Sequence, residues 1–223
     1  MDNRAFEYLS EFKQLKQQEC GCADMVPFCK CSGLIKLEIK RIEANIPLKF
    51  LPFTLDDVKY DSIKEQKKAI IGYIDNFKNN FRGGIGLYLH GKKGLAKGLL
   101  GCLVLSAIIQ KGHNCYFTTL DAYIKAVIGR DEETIEKIET VDVLMVDGIG
   151  KEYVAESGVV SKCFEKLLKM RCDKMLPMIL TSGKTDVELG HYFGIDSLVS
   201  LVREHFVTME FSGVDYRFKA GGK

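Results

Sequence analysis

No run of about 18 apolar residues occurs in the 223-residue chain, so no helical segment is expected to span a membrane. The opening stretch, MDNRAFEYLSEFKQLKQQE, has neither an apolar h-region nor a cleavage signature, which points away from secretion and toward the cytoplasm. Four histidines are present (His90, His113, His191 and His205), and none falls in a metal-binding spacing such as H-E-x-x-H. Internal repeats and low-complexity tracts are also absent, which removes solenoid architectures. The net charge is only +2 and says little about partners. What remains is a chain 46% hydrophobic and 28% charged, enough to fill a globular core and leave little room for long disorder. Its length suits one ordinary domain and a small appendage.

Charge is distributed unevenly. Residues 59 to 97 carry nine Lys/Arg against three Asp/Glu, and residues 131 to 156 carry nine Asp/Glu against two Lys. The basic stretch reads first as a solvated lysine-rich face, and it also suits phosphate or nucleic acid. The eight cysteines are uneven as well. Four form Cys20-Gly21-Cys22, six residues, then Cys29-Lys30-Cys31. Without a secretory signal, clustered cysteines point to metal rather than disulfides. Two close thiolate pairs can make a tetrahedral Zn–S₄ site, structural because four protein ligands leave no open position. Four unmetallated thiols are the alternative. Cys102, Cys115, Cys163 and Cys172 sit in apolar contexts and read as buried core residues.

Residues 1 to 18 read as a helix, with Phe6, Leu9, Phe12 and Leu15 forming one apolar stripe that faces either its own domain or a partner. A second helix is expected from Ile35 to about Asn45. Pro47 and Pro52 then break helix in a connector, which puts the boundary between an appendage, 1–46, and a main domain, 47–223. Helix is expected again over 62–80. Beyond it, apolar strands at Ile85–Leu89, Asn114–Thr118, Val141–Val146 and Met178–Thr181 alternate with helices at Leu95–Gln110, 119–129 and 157–172. That alternation predicts an α/β fold with a parallel sheet covered by helices. The helix Leu95–Gln110 is apolar nearly all round and should be sandwiched.

The strand at residue 85 runs into Gly91-Lys92-Lys93-Gly94-Leu95-Ala96-Lys97-Gly98 and then a helix. A P-loop, G-x-x-x-x-G-K-[ST], wraps backbone N–H groups around phosphates, reaches the outer phosphates with a lysine and gives Mg²⁺ a hydroxyl. Gly91, Gly94 and Lys97 match; Ala96 replaces the last glycine and Gly98 the Ser/Thr. Alanine is a mild change unless the position needs positive φ. Gly98 is the severe one, since it offers magnesium nothing. About 50 residues on, the strand VDVLMVDGIG ends in Asp147, a position for assisting Mg²⁺, followed by Gly148 where a second acid would polarise water. Retained ATP or ADP with magnesium weak or absent, and loss of nucleotide altogether, both stay open.

Across residues 20 to 217 the order of pieces resembles the AAA+ domain of DnaC/DnaI-type helicase loaders and their IstB-like transposition relatives. The pieces are the cysteine cluster, ANIPLKFLPFTLDDV, YLHGKKGLAKG, CYFTTLDAYIKAV, DVLMVDGIG, PMILTSGKTDVEL and SLVSLVREHFVTMEFSGVDYR. The resemblance implies an AAA+ P-loop fold and a zinc-bearing N-terminal part that meets a replicative helicase. Single-stranded DNA and other AAA+ subunits are further implied partners. It also implies a nucleotide-sensing role for Arg217. Two further departures are then visible: Gly183 stands where the family has a polar sensor, usually Asn, and Leu201 where it carries an arginine finger. An arginine finger is worth about 10³–10⁵ in rate. With Gly98 and Gly148, these departures predict weak or no ATP hydrolysis. The leading reading is a replication helicase-loader-like protein; the alternatives are an inactive AAA+ regulator or inhibitor of a loader, and an IstB-like partner of a transposase. Protein purified without chelator should carry about one zinc per chain by metal analysis, held by Cys20, Cys22, Cys29 and Cys31. A metal-free chain with residues 1–46 well folded would argue against that site.

Overall fold

The computed structural model describes residues 2–21, 29–59, 61–151 and 158–213. Its frame is a five-stranded parallel sheet: β1 (Gly86–Gly91), β2 (Cys115–Thr119), β3 (Val143–Ile149), β4 (Met178–Ser182) and β5 (Phe206–Phe211), in the order β2-β3-β4-β1-β5. Alternate side chains enter opposite layers, as the two-residue period of a strand requires. Leu87, Leu89, Val143, Met145 and Ile179 face one core, while Tyr88, Leu144, Val146, Met178 and Leu180 face the other. The near-continuous apolar character of the central strands follows from burial on both faces. The four strands expected from sequence are present. The fifth, β5, was not legible as a strand, because its edge position leaves Val207, Thr208 and Glu210 exposed and interrupts the apolar pattern.

On one face lie α2 (Lys30–Glu43), α3 (Lys64–Asp75) and α5 (Lys97–Gln110); the other is covered by α6 (Leu120–Gly129), α8 (Val159–Asp173), α9 (Asp186–Phe193) and α10 (Leu198–His205). The acidic run after residue 131 includes a short helix, α7 (Glu132–Thr140), with Asp131 accepting from the Thr134 amide at its start. Fully buried Arg171 on α8 donates to the carbonyl oxygens of Ile138, Val141 and Pro177, joining α7 to the entrances of β3 and β4. Of the residues of α5, Leu100 to Leu105, Ile108 and Ile109 are buried, so the sandwiched helix expected from its composition is found. The single helix expected over 62–80 is instead two, α3 and α4 (Phe77–Arg82), joined at Asn76. The cause is local: Asn80 donates to the Tyr73 carbonyl and Asn79 to the Asn76 side chain, offering an alternative to the helical ladder.

Helix α1 (Asn3–Cys20) begins on Asp2, which accepts from the Ala5 amide, and ends on Gly21 in the left-handed conformation. It pairs antiparallel with α2: Tyr8 meets Glu38 near one end, and Cys20 meets Cys29 at the other. Helix α2 starts at Lys30, inside the cysteine cluster and earlier than Ile35. The expected stripe does not form one face. Three-residue steps rotate by about −60° each at 3.6 residues per turn, so Phe6 and Leu15 end on opposite sides. Ala5 and Leu9, four apart, are the buried pair, while Phe6 is 65% and Leu15 50% exposed.

A polar chain fixes this hairpin to the sheet domain. Tyr8 donates to Glu38 at 2.6 Å; Arg41 holds the other Glu38 oxygen at 2.8 Å, and its Nε donates to Ser106 on α5 at 3.1 Å. Burial, reinforced by the Glu38 hydrogen bond, pushes the Tyr8 phenol well above its ordinary value. Glu38 is only 2% exposed, so removing its partner strands a buried carboxylate. Arg41→Ala should therefore lower stability by about 3 kcal/mol and the Tm by roughly 10 °C in thermal unfolding, whereas Tyr8→Phe should cost only about 1 kcal/mol. An unchanged Tm for Arg41→Ala would show that the chain of bonds does not hold the hairpin down.

Candidate nucleotide cleft and cysteine cluster

The strand order inserts β4 between β1 and β3, so the loops leaving the C-terminal ends of these three strands meet above the sheet. Ligand crevices of open α/β sheets form at such ends. A cleft of about 520 Å³ opens there, lined by residues 93–99 of the loop after β1, Asp147, Gly148 and Lys151 after β3, Thr181 to Gly183 after β4, and Lys49 and Phe50 from the connector. Residues 94–96 turn the chain into α5. Gly94 has φ 79° and Ala96 φ 57°, and α5 starts at Lys97, two residues later than sequence periodicity suggests. Gly91, at φ 117°, packs against the Phe211 carbonyl of β5, to which Lys92 N donates at 3.1 Å. Any side chain at residue 91 would collide with that carbonyl.

Thus Lys93, Gly94, Leu95, Ala96, Lys97, Gly98 and Asp147 gather on the cleft, while Gly91 and Lys92 form its root. Arg217 lies outside the described residues. The Lys97 ammonium donates to the carbonyl oxygens of Gly91 (2.6 Å) and Lys92 (2.5 Å) and so braces the loop. Across the cleft, Asp147 accepts from the Thr181 hydroxyl at 2.6 Å, and Thr181 in turn accepts from the Gly148 amide at 2.8 Å. Gly98 faces this carboxylate: a Cβ there would stand 3.0 Å from Asp147 Oδ1. Gly148 has φ 76°, and a Cβ on it would come within 2.5 Å of Lys151 Nζ. Among the residues lining the cleft, sequence reasoning did not single out Lys49, Phe50, Lys151 or Thr181. The connector pair and Thr181 had a signal, inside ANIPLKFLPFTLDDV and PMILTSGKTDVEL; Lys151 had none and is brought in by the strand order.

Elsewhere, Leu201 packs against the core under α10, and Arg203 pairs with Asp186 at 3.2 Å. His90 is largely buried, stacks on Tyr88 and has its pKa lowered by burial; it does not line the cleft. Cys102, Cys115 and Cys172 are buried core residues, and burial raises their thiol pKa values, that of Cys172 to about 12; Cys163, expected to be buried as well, is only half-buried at the edge of the core. The N-terminal cysteines differ. Cys20 closes α1, Cys29 precedes α2 and Cys31 lies in its first turn, and their Sγ atoms lie within 4.8 Å of one another. Cys22 lies outside the described residues. A tetrahedral Zn–S₄ site has S···S edges of about 3.8 Å; Cys29 Sγ stands 2.9 Å from that of Cys20 and 3.2 Å from that of Cys31, so the thiols are gathered but would spread slightly around a zinc ion.

No family model matches the chain. Its sequence is 28% identical over 115 residues to the replicative helicase loader DnaI of Bacillus subtilis (strain 168); the match covers 49% of this chain and 37% of that protein. In fold it is similar to the crystal structure of the DnaC helicase loader, with 21% identity and a TM-score of 0.65 over 74% of this chain and 100% of the other. It is also similar to the crystal structure of DnaI, with 23% identity and a TM-score of 0.62 over 76% and 93%. The motif resemblance to DnaC/DnaI-type AAA+ loaders is thus borne out in sequence and in fold, as is the α/β sheet covered on both faces. Among the described residues, no helix is long and apolar enough to cross a membrane.

Ala96 holds a left-handed conformation that costs a non-glycine residue roughly 1–2 kcal/mol. Ala96→Gly should relieve it and, after the extra unfolded-state entropy of glycine, raise stability by about 0.5–1 kcal/mol in denaturant unfolding. A loss of stability would mean that the loop does not adopt this turn.

Proposed function

We propose that this chain is a helicase-loader-like protein of DNA replication that acts by binding a replicative helicase in the cytoplasm. The observation that carries this reading is the sequence match to DnaI, a replicative helicase loader, and the fold similarity to DnaC supports it. The helicase-facing part is assigned to residues 1–46, and the AAA+ body to 47–223. Exposed Phe6, Leu15 and Leu34 on the α1–α2 hairpin supply apolar anchors of the kind that dominate interfaces. Zinc on Cys20, Cys22, Cys29 and Cys31 would tie the two helix ends together and stiffen that surface.

In the body, ATP or ADP would lie in the cleft, its phosphates against the amides of residues 93–98 and the Lys97 ammonium. The residues for turnover are lacking. Gly98 brings no hydroxyl, Gly148 no acid, Gly183 no polar side chain and Leu201 no guanidinium. Those losses favour, as a second reading, a non-hydrolysing regulator that binds a genuine loader. Single-stranded DNA and other AAA+ subunits are further partners consistent with the body.

The test is a pull-down of the replicative helicase, and separately of an intact loader, from the same source. The full chain should retain the helicase. Phe6→Ala/Leu15→Ala, both at exposed positions, should weaken retention about tenfold with an unchanged Tm. Capture of the loader but not the helicase would select the regulator reading, and capture of neither would refute both.

A further inference from the structure

The cleft that the preceding reading gives to nucleotide offers magnesium fewer protein oxygens than the P-loop pattern supplies. Mg²⁺ in phosphate sites takes near-octahedral oxygen ligands, normally one or two protein oxygens beside phosphate and water. The hydroxyl position is Gly98, directly against Asp147, so on the α5 side the carboxylate has no side-chain oxygen beside it, and the nearest hydroxyl, that of Thr181, is spent on Asp147 itself. Asp147 itself is engaged by Thr181. No carboxylate follows it, because the next residue is Gly148, whose φ of 76° disfavours any side chain. Instead, the room beside Gly148 is taken by the ammonium of Lys151.

The charge in the cleft follows the same pattern. Among the described residues that line it, Lys49, Lys93, Lys97 and Lys151 stand against the single carboxylate Asp147. Lys49 comes from the connector, Lys93 and Lys97 from the phosphate loop, and Lys151 from the end of β3, so the cations come from three directions. A site with this balance attracts a fully ionised polyphosphate, and the same polyphosphate carrying a divalent cation brings repulsion with it.

Resting on the reading of this cleft as a nucleotide site, we propose that it binds the metal-free polyphosphate of ATP or ADP, with Lys151 supplying the positive charge that Mg²⁺ supplies in intact P-loop sites. Ammonium and Mg²⁺ are then alternatives for one place. Lys151 is exposed, so solvent screens it. The expected effect is therefore about tenfold in affinity, or roughly 1.4 kcal/mol, rather than the much larger effect of a dry site.

The test is titration calorimetry of the full chain with ATP, ADP and inorganic tripolyphosphate at fixed ionic strength. Metal-depleted buffer is compared with excess Mg²⁺, and the resin treatment is applied to the buffer alone so that cysteine-bound metal is left in place. ATP should bind about tenfold more tightly without Mg²⁺. Lys151→Gln should abolish that preference by weakening metal-free binding while leaving binding in Mg²⁺ unchanged or stronger. A merely structural role for Lys151 would lower both together, and that outcome overturns the proposal. Tighter binding with Mg²⁺ in the unmodified chain overturns it as well. Lys97→Ala should remove binding in both buffers, which ties the signal to this cleft. No binding of any of the three compounds in either buffer would remove the nucleotide reading itself, and this inference with it. The helicase pull-down is a separate readout, so its failure leaves the metal result standing.

Discussion

Helix α5 has no face to give to water. Residues Leu100 to Leu105, Ile108 and Ile109 point in every direction around its axis and are all buried. An amphipathic helix needs one covering surface; a helix that is apolar all round needs two. The sheet provides one, through Met145 and Ile179, and α2 and α3 provide the other. The placement of the N-terminal hairpin follows from this need. Ile35, Ala44 and Ile46 are 4% exposed or less, and Arg41 reaches through to Ser106 on α5. The helix whose first turn carries the phosphate loop is thus also the helix on which the hairpin rests. A change in the loop and a change in the hairpin share one rigid body.

The loop between β1 and α5 turns as the P-loop pattern would, while its side chains depart from that pattern at Ala96 and Gly98. Its loop geometry is intact: glycine at φ 79° for residue 94, a left-handed turn at Ala96, Lys97 braced on the loop carbonyls, and Asp147 set across from the start of α5. Residue 98, where that pattern has a hydroxyl, and residue 148, after Asp147, are both glycine. Phosphoryl transfer depends on positioned charge rather than covalent chemistry. A site can therefore lose turnover through such absences while its backbone still suits phosphates. The retained Asp147 has an internal partner in Thr181, which links β3 to β4 at the head of the sheet and gives the carboxylate a role in the fold.

The cysteine cluster and the hairpin solve a related problem of size. A helix of 18 residues and one of 14 bury little by themselves. Joined at their cysteine ends, and pinned toward the other end by Tyr8, Glu38 and Arg41, they become an extension of the main core with an outer surface left over. Phe6 and Leu15 stay exposed, on opposite sides of α1, because a three-residue repeat spirals around a helix of 3.6 residues per turn.

The sequence by itself determined the parallel sheet, the sandwiched helix α5, the glycine-rich turn between β1 and α5, and the grouping of Cys20 with Cys29 and Cys31. Each of these is written in local order: apolar runs, glycine spacing, paired thiols. It could not show that α3 and α4 are separate, because asparagines 76, 79 and 80 act through side-chain hydrogen bonds that periodicity does not register. Nor could it show β5, whose exposed edge breaks the apolar pattern. The tertiary structure alone decided that Lys49, Lys151 and Thr181 share a cleft with Lys97. They come from four separate stretches of chain, and only the insertion of β4 between β1 and β3 brings the ends of those strands together. It likewise decided that Ala96 must take a positive φ and that Glu38 is buried, because both depend on what the rest of the chain packs against them.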